Sequence, residues 1–379
     1  MKEQIYSNAR LVLADELVRG SVLVRDGRIA SIDSGNTAAL GVHDLDHDFL
    51  LPGLVELHTD NLERHVTPRP KVSFPMQGAV QAHDAEIAAA GITTVLDAIG
   101  VGDPYGDGFR AHDQSALLDV LDTLEAAGSL RADHHLHVRC ELPAPNARAL
   151  FEPYRAHRRL RLLSLMDHTP GQRQWVDLDR ARTYYTGKKG WSDTRFDDEV
   201  RLAPERQARW AAPQRAWFAA FARERGVALA THDDTTIEHV DEACALGAAM
   251  SEFPTTLAAA RHAKAKGLST VAGAPNVVRG GSHSGNVSAL ELAREGTLDA
   301  LSSDYVPGSL LLAAWLLTSE ADFTLPQAIA AVTSHPARAC GLPDRGEIRA
   351  GLRADLVRVR EVAAHPVVRE VVAKGVRVA

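Results

Sequence analysis

Four side chains of the types that bind metal ions or move protons lie within eight positions, directly after the apolar run 50–57. His58 and Asp60 are two positions apart, so both side chains point to the same face if this segment is a strand. An imidazole and a carboxylate on one face suit zinc, iron or manganese. The alternative is a polar turn in which these two residues bond to each other or to the backbone, and this stretch alone supports both interpretations equally. The other two side chains are Glu63 and His65.

The rest of the chain alternates between helical segments and apolar runs. Six glycines occupy the position expected just after a helix, and an apolar run follows nearly every one. With the opening strand and the runs that begin at His135 and Leu160, the chain offers eight candidate strands. This pattern predicts the α/β class and a (β/α)₈ TIM-type barrel. An open doubly wound sheet is the alternative, but no G-x-G-x-x-G fingerprint follows the first strand. The six glycines are Gly91, Gly128, Gly226, Gly247, Gly267 and Gly296.

A barrel brings the carboxyl ends of its strands to one rim, where enzymes of this fold build their active sites. Ionisable side chains are predicted at that rim after nearly every strand, which favours a metal site over a set of unrelated polar turns. Asp167, Asp233 and Glu252 also follow strands, but the predicted ligand set consists of three histidines and three other carboxylates. Such a set could hold two metal ions that share one bridging carboxylate. The predicted ligands are His58, Asp60, Glu141, His168, His232 and Asp304.

Histidines on predicted helices or connections, such as His83 and His134, are interpreted as surface or hydrogen-bonded residues. The glycine-rich residues 276–286 have a composition that can wrap backbone N–H groups around a phosphate, although such a loop can equally be a mobile lid. Residues 67–71 form a second basic loop that proline stiffens. Lys189 and its neighbour lie in a long insertion, residues 172–200, and are interpreted as solvated charge. The predicted substrate-binding residues are Arg69, Lys71, Arg279, Gly280, Gly281, Ser282 and His283.

The two ends of the chain show a different pattern. Residues 8–32 alternate apolar and polar side chains, with turn signals at Arg19-Gly20 and Asp26-Gly27, and this predicts a β-meander. Residues 351–359 and 371–378 predict further short strands. The termini are therefore expected to form one small β-sandwich domain, residues 1–50 and 344–379, beside a barrel of residues 51–343.

Composition excludes several classes of function. The 42 basic and 49 acidic residues give a net charge of −7 without a long basic run, which argues against nucleic acid as a partner. No signal peptide and no apolar run of membrane-spanning length is visible, so no membrane partner is expected. Three scattered cysteines indicate reduced thiols and a cytoplasmic location.

Several motifs resemble those of the amidohydrolase superfamily, and within it the branch that acts in phosphonate utilisation. The most specific are HTDNLE followed by TPRPK, in residues 58–71, and NVVRGGSHSGN, in residues 276–286. The resemblance also rests on AHDAEIAAAGITTVLDAI, LSSDYVP and GLRADLVRVR, and it covers nearly the whole chain. It implies a hydrolase with two divalent metal ions, zinc being expected and manganese or iron the alternatives. The implied reaction converts α-D-ribose 1-methylphosphonate 5-triphosphate to the 5-phosphate and pyrophosphate.

The resemblance also implies roles for individual residues. Members usually carry His-x-His on the first strand, and here Asp60 replaces the second histidine. Glu141 takes the place of a bridging carboxylated lysine, while Asp304 matches the aspartate that accepts a proton from the attacking water. Glu141 ends the third predicted strand rather than the fourth, so a further short strand between Asp97 and His134 is expected.

Two other functions stay open at this point. Hydrolysis of a C–N bond in a phosphorylated small molecule, by a deacetylase or deaminase, is the main alternative. A barrel that has lost its metals and serves as a scaffold is the second, and the suitable chemistry of all six predicted ligands argues against it. The expected partners are a small phosphorylated sugar and, in a homodimer, a second copy of the chain.

Overall fold

A computed structural model of the chain describes residues 3–35, 37, 41–69, 72–105, 114–187, 189–282 and 285–379. The strands are β1 (Glu3–Val12), β2 (Leu17–Arg25), β3 (Arg28–Ser34), β4 (His43–Asp44), β5 (Phe49–Pro52), β6 (Leu54–Thr59), β7 (Ile92–Val101), β8 (Asp133–Glu141), β9 (Leu160–Met166), β10 (Ala228–His232), β11 (Met250–Glu252), β12 (Ser269–Gly273), β13 (Ala300–Ser302), β14 (Leu356–Val362), β15 (His365–Ala373) and β16 (Val376–Arg377). The α-helices are α1 (Asn61–Val66), α2 (Met76–Ala89), α3 (Ala116–Ala126), α4 (Ala147–Phe151), α5 (Leu178–Gly187), α6 (Asp193–Arg225), α7 (Ile237–Leu246), α8 (Leu257–Ala265), α9 (Ala274–Arg279), α10 (Ala289–Arg294), α11 (Ser309–Glu320), α12 (Leu325–Ala330) and α13 (Ser334–Ala339). In these described ranges, no helix is both long and apolar enough to cross a bilayer.

Strands β6 to β13 pair in chain order, and every pair is parallel. The barrel closes where Thr59 at the end of β6 forms a parallel bridge with Asp304, which lies just after β13. The Thr59 hydroxyl also donates a hydrogen bond to the carbonyl oxygen of Asp304 at 2.6 Å. The predicted (β/α)₈ barrel is therefore confirmed, with the eight strands that the sequence indicates. The further strand expected between Asp97 and His134 is wrong for the described residues 102–105 and 114–132, and Glu141 ends the third strand.

The two ends of the barrel interior differ in chemistry. Apolar side chains from the first part of the strands form a closed cluster, which includes Val55, Leu162 and Met250. Ala337 on α13 and the nearby Cys340 pack into the same cluster. Polar side chains occupy the carboxyl ends of the strands instead. The apolar end excludes water by close packing, and only the polar end can admit a ligand.

The six glycines predicted to follow helices all have a positive φ, between 63° and 90°. A left-handed residue ends a helix and lets the chain turn directly into the next strand. Glycine adopts this conformation without the clash of a Cβ atom. These six glycines therefore end the helical segments and allow the next barrel strand to begin.

Both chain ends contribute to a second sheet, in the order β16-β15-β14-β5-β1-β2-β3, and β4 pairs with β1. The C-terminal strand β14 lies antiparallel to β5, so the two termini meet at the centre of this sheet. Phe49 packs edge-on against Trp315 of α11, with ring centroids 5.2 Å apart. The expected small β domain is confirmed, and hydrogen bonds link its strands in one mixed sheet. The domain boundaries stay a prediction, and the one at residue 50 falls inside β5.

In this sheet, one predicted turn is present and two other details differ from the prediction. Asp26 and Gly27, with φ of 49° and 79°, form the predicted turn between β2 and β3. The turn predicted at Arg19-Gly20 is wrong, because both residues lie inside β2 and pair with β1. A Cβ atom at Gly20 would lie 2.4 Å from the carbonyl oxygen of Asp33, so glycine there permits close approach of two strands. At the other end, residues 351–355 precede β14 instead of beginning it.

A buried network of histidine and aspartate side chains joins α2 to the outside of the barrel. His83 on α2 and His134 on β8 each contact Asp97 on β7 at 2.8 Å. His134 also lies 3.3 Å from Asp84. The interpretation of His83 and His134 as hydrogen-bonded residues is confirmed, but neither lies at the surface, and the placement of His134 on a helix or connection is wrong because it belongs to β8. Burial disfavours the charged ring, but Asp97 and Asp84 outweigh this effect and raise the pKa of His134 to about 9.

This network predicts a stability that depends on pH. A pKa raised from 6.5 to about 9 means that the charged His134 stabilises the fold fully below pH 6.5, and that this contribution is lost as the pH rises through 9. At about 1.4 kcal/mol per pKa unit, the expected loss is on the order of 3 kcal/mol. His134→Gln is neutral at every pH, so its free energy of unfolding should lack this decline. Urea titrations of both proteins from pH 6 to pH 9.5 measure the difference, and equal slopes would contradict the assignment.

Candidate metal centre

A cavity of about 360 Å³ opens at the carboxyl ends of the barrel strands. All six predicted metal ligands contribute to its wall, although they come from five different strands and the residues that follow them. The sequence therefore predicted correctly that these side chains share one rim. Whether each of them binds a metal depends on the geometry of its donor atoms. The six are His58, Asp60, Glu141, His168, His232 and Asp304.

One group of possible ligand atoms lies between β9 and β10. Asp233 Oδ2 is 3.5 Å from His232 Nε2 and 3.8 Å from His168 Nε2. The three ligand atoms lie within 4.8 Å of one another. Asp233 Oδ2 is buried and has no hydrogen-bond partner in the described part of the chain. A buried carboxylate oxygen between two imidazole nitrogens fits a divalent cation, because burial without a partner is costly.

Glu141 meets His168 on the opposite side of the imidazole ring. Glu141 Oε2 lies 2.6 Å from His168 Nδ1, and Glu141 Oε1 accepts a hydrogen bond from the His168 backbone N–H at 3.0 Å. This contact directs Nε2 of the ring towards Asp233. Burial lowers the pKa of His168, but the charge of Glu141 outweighs this effect and the pKa is raised. In this geometry Glu141 orients a ligand, and its own binding of a metal stays a prediction.

Glu252 at the end of β11 orients two further rings. Its carboxylate lies 3.2 Å from His58 Nδ1 and 3.3 Å from His232 Nδ1, and it is fully buried. Ser164 donates a hydrogen bond to the same carboxylate at 2.6 Å. His137 Nε2 lies 3.8 Å away and has no hydrogen-bond partner among the described residues. A carboxylate on Nδ1 leaves Nε2 of each ring available to a metal and fixes the direction in which it points.

Asp304 is held by its backbone at the seam of the barrel. Its N–H donates to the carbonyl oxygen of His58 at 3.2 Å, and its carbonyl oxygen accepts from the N–H of Asp60 at 3.2 Å. Beneath it, Glu56 accepts hydrogen bonds from the backbone N–H groups of His58 and Ser303. Burial raises the pKa of Glu56 to about 7. These contacts fix β6 and β13 together and place His58, Asp60 and Asp304 at one point of the rim.

Three residues that follow barrel strands have a left-handed backbone without being glycine. Asp233, Phe253 and Asp304 have φ of 55°, 53° and 53°. Each follows the last residue of its strand by one or two positions, and Phe253 packs edge-on against His58 and His232. Non-glycine residues adopt this conformation at some energetic cost, typically where function requires a particular direction of the side chain. The strand ends thus turn sharply at the site.

The predicted phosphate-binding residues divide into three groups. Arg279, Gly281 and Ser282 line the cavity. Gly280 and Arg69 are exposed and do not belong to the described cavity wall. Lys71 and His283 lie outside the described residues.

The loop interpretation of residues 276–286 is wrong in its first part. Residues 274–279 form α9, and Gly280 ends this helix with φ of 76°. Gly280 thus serves as a helix terminator, like the six glycines that precede barrel strands. Of the described residues that follow, Gly281, Ser282 and Asn286 lie outside helices and strands and line the cavity.

The insertion of residues 172–200 forms an aromatic wall over the cavity. Trp175, Tyr184, Tyr185 and Trp191 line the cavity from this insertion, together with Tyr105. Tyr185 stacks on Trp191, with ring centroids 4.6 Å apart. Lys189 lines the cavity and is exposed, so its interpretation as solvated charge is compatible with its position, while Lys188 lies outside the described residues.

Four residues that contact the predicted ligands are missing from the predicted set. Asp233 and Glu252 follow predicted strands but do not belong to the predicted ligand set, and the sequence does not show whether His232 or the adjacent Asp233 faces the cavity. His137 and Arg139 could have been found, since they alternate with Glu141 on β8 and must share its face. Arg139 lines the cavity, and His137 lies beneath it in contact with His58.

The chain belongs to the amidohydrolase family, whose profile matches residues 49–378. Among curated relatives, it is 45% identical over 378 residues to the α-D-ribose 1-methylphosphonate 5-triphosphate diphosphatase of Escherichia coli (strain K12). That alignment covers 99% of this chain and 100% of the relative.

Solved structures share the fold at much lower identity. N-isopropylammelide isopropylaminohydrolase from Burkholderia multivorans has a TM-score of 0.63 at 19% identity, over 100% of this chain and 98% of that one. N-acetyl-D-glucosamine-6-phosphate deacetylase from Mycobacterium smegmatis has a TM-score of 0.64 at 15% identity, over the full length of both chains. These similarities establish the barrel and the terminal sheet as a shared architecture.

Proposed function

We propose that this chain hydrolyses α-D-ribose 1-methylphosphonate 5-triphosphate to the 5-phosphate ester and pyrophosphate. The observation that carries the proposal is the 45% identity, over essentially the whole length of both chains, to a diphosphatase with this substrate. The site has suitable chemistry, because one cavity combines histidine and carboxylate ligands with Arg139, Lys189 and Arg279. A triphosphate carries several negative charges along its length. The buried Arg139 and the exposed Lys189 and Arg279 place positive charges at different depths of the cavity, which matches that distribution.

The metal centre that we propose contains two divalent ions, with zinc as the expected metal. His168, His232 and Asp233 would hold one ion, because their donor atoms already lie within 4.8 Å of one another. His58, Asp60 and Asp304 would hold the second, with Glu141 as a further carboxylate beside them. When bound, such ions supply an activated water and neutralise charge on a phosphoryl group. Oxygen-rich ligand sets also accept manganese or iron.

The side chains of the cavity perform the remaining steps. Asp304 accepts the proton of the attacking water, because its carboxylate lines the cavity at the seam between β13 and β6. Arg279, which lines the cavity, binds the outer phosphates. The aromatic wall from the insertion covers the reacting groups and limits access of bulk water. Attack on the phosphorus next to the ribose forms one P–O bond and breaks the bond to pyrophosphate.

Hydrolysis in water enriched in heavy oxygen tests the reaction and its direction. We expect unlabelled pyrophosphate and one labelled oxygen in the ribose 5-phosphate ester, because the attack falls on the phosphorus attached to the sugar. Mass spectrometry of both products measures this. Label in pyrophosphate would place the attack on the middle phosphorus, and stepwise release of orthophosphate would contradict the proposed activity. Boiled enzyme and enzyme stripped of metal by a chelator serve as controls.

Two further expectations belong to this proposal. We propose that the enzyme works in the cytoplasm, which the three free cysteines support, Cys140 and Cys340 being buried. A homodimer is proposed as the assembly, and light scattering of the purified protein checks it.

A further inference from the structure

Arg139 is a buried arginine at the carboxyl end of β8 that faces the cavity. Only 9% of its side chain is exposed. It lies two positions before Glu141, so the strand directs both side chains to the same interior face. Its guanidinium group therefore reaches the part of the cavity that contains the predicted metal ligands.

The charge of Arg139 is poorly compensated. Its Nη1 lies 3.5 Å from Asp60 Oδ2, and its Nε donates to the sulfur of Met166 at 3.2 Å. In the described part of the chain, no other carboxylate lies within 4.0 Å of this guanidinium. Sulfur is a weak acceptor, and a single contact of 3.5 Å is at the limit of a hydrogen bond.

Two other buried arginines show what full compensation looks like in this protein. Arg159, with 2% of its side chain exposed, contacts Asp122 at 2.9 Å and Glu125 at 2.5 Å, and it donates to the His134 carbonyl oxygen at 2.8 Å. Arg173 contacts Asp234 and the His232 carbonyl oxygen, each at 3.0 Å. Neither residue lines the cavity. Burying a guanidinium group without such partners costs free energy. The buried position of Arg139 is therefore explained only if a further acceptor binds to it.

The chemistry of the site indicates what Arg139 binds. Asp60 is itself a predicted metal ligand, so its charge is shared with the metal centre and compensates Arg139 only in part. The planar fork of a guanidinium group matches two oxygens of a phosphate, and its positive charge persists at every working pH. A phosphoryl group bound beside Asp60 and Glu141 would supply the missing acceptors.

We infer that Arg139 contacts the phosphoryl group under attack and is a catalytic residue of this enzyme. The inference rests on the proposed function and deepens it by assigning separate tasks to the cations of the cavity. Arg279 and Lys189 are exposed and bind the outer phosphates, whereas Arg139 donates N–H bonds to the innermost one. No proton leaves Arg139, because its role is to neutralise the charge that develops as the bond to pyrophosphate breaks.

Three variants test this role in the metal-loaded enzyme. Arg139→Met removes the charge at similar length, and Arg139→Lys keeps the charge but removes the fork. Arg159→Met is the matched control, because it removes another buried arginine, one that does not line the cavity. For each protein we would measure metal content, melting temperature, kcat and KM on the ribose triphosphate, and the binding of inorganic tripolyphosphate by calorimetry.

Arg139→Met is expected to keep its metal and to lose kcat by about 10²–10³-fold, the effect typical of removing one donor to a developing charge. Tripolyphosphate should bind at least about tenfold more weakly, and Arg139→Lys should fall between this variant and the wild type. Arg159→Met should lower the melting temperature while kcat of the folded enzyme stays near that of the wild type. These differences separate a contact with substrate from a role in folding.

Several results would overturn the inference. A kcat of Arg139→Met within about threefold of the wild type would do so, as would a loss of activity that follows loss of metal, since Arg139 would then only support Asp60. If Arg139→Met does not fold, an unchanged kcat in Arg139→Lys decides against the inference. A wild-type enzyme that releases no pyrophosphate refutes the proposed function instead, and the tripolyphosphate affinities then still show whether Arg139 binds a phosphate.

Discussion

Replacing Asp304 with asparagine is expected to lower turnover by about 10²–10⁴-fold while the protein keeps much of its metal. An amide cannot accept the proton of the attacking water, but it has nearly the same size as the carboxylate. Asparagine also tolerates the left-handed backbone that residue 304 adopts at φ of 53°. The backbone bonds that join β13 to β6 should therefore survive, and kcat with metal content by atomic emission measures the outcome.

Asp299→Asn provides the control for this experiment. Asp299 precedes the same strand, β13, at the opposite end of the barrel, where it accepts a hydrogen bond from the Thr270 N–H at 3.0 Å. This substitution should leave turnover close to normal. Complete loss of metal in Asp304→Asn would show that Asp304 is chiefly a ligand, and normal turnover would remove it from the mechanism.

His232→Ala is expected to abolish activity and to lose bound metal at the same time. His232 is the residue on which the contacts of the site converge, because Nε2 faces Asp233 at 3.5 Å and Nδ1 faces Glu252 at 3.3 Å. Its removal deletes a ligand atom and leaves two buried carboxylates with one partner fewer. Competition with a chromogenic chelator measures the metal affinity, and circular dichroism checks that the barrel still folds.

Glu252→Gln should give a graded version of this effect. The amide keeps the volume of the side chain but accepts at only one of its terminal atoms, so one of the rings of His58 and His232 loses the acceptor that orients it. Metal affinity should fall by about 10–100-fold, the range found when a partner of a ligand is removed. His262→Ala, which removes a more exposed ring paired with Asp241, is the control. For the preceding variant, His232→Ala, unchanged metal binding would refute the assignment of His232 to the metal centre.

The fold was predictable because the signals that define it are local. Glycines that end helices and apolar runs that follow them occur at regular intervals, and the barrel then brings residues 58, 141, 168, 232 and 304 to one rim. The choice of donor atoms was less predictable, since it depends on rotamers. The carboxylate of Glu141 lies 2.6 Å from Nδ1 of His168, whereas the carboxylate of Asp233 faces Nε2 of the same ring. No local pattern separates these roles.

The aromatic wall was not predicted either, for a different reason. Trp175, Tyr185 and Trp191 have no periodic spacing, and they pack in one cluster formed by α5, the residues on either side of it and Phe196 near the start of α6. Tyr105 joins them from the segment after β7. Contacts between segments so distant in sequence are decided by tertiary packing, which a single sequence does not reveal.

The aromatic wall also gives this protein a built-in optical reporter. Of its five tryptophans, Trp175 and Trp191 line the cavity. The emission of an indole responds to the polarity and charge around it, so a polyanion that enters the cavity changes the fluorescence of the native, unlabelled protein. The kinetics of substrate entry and product departure are therefore accessible to stopped-flow measurement, with Trp210 and Trp217 on α6 and Trp315 on α11 as a constant background.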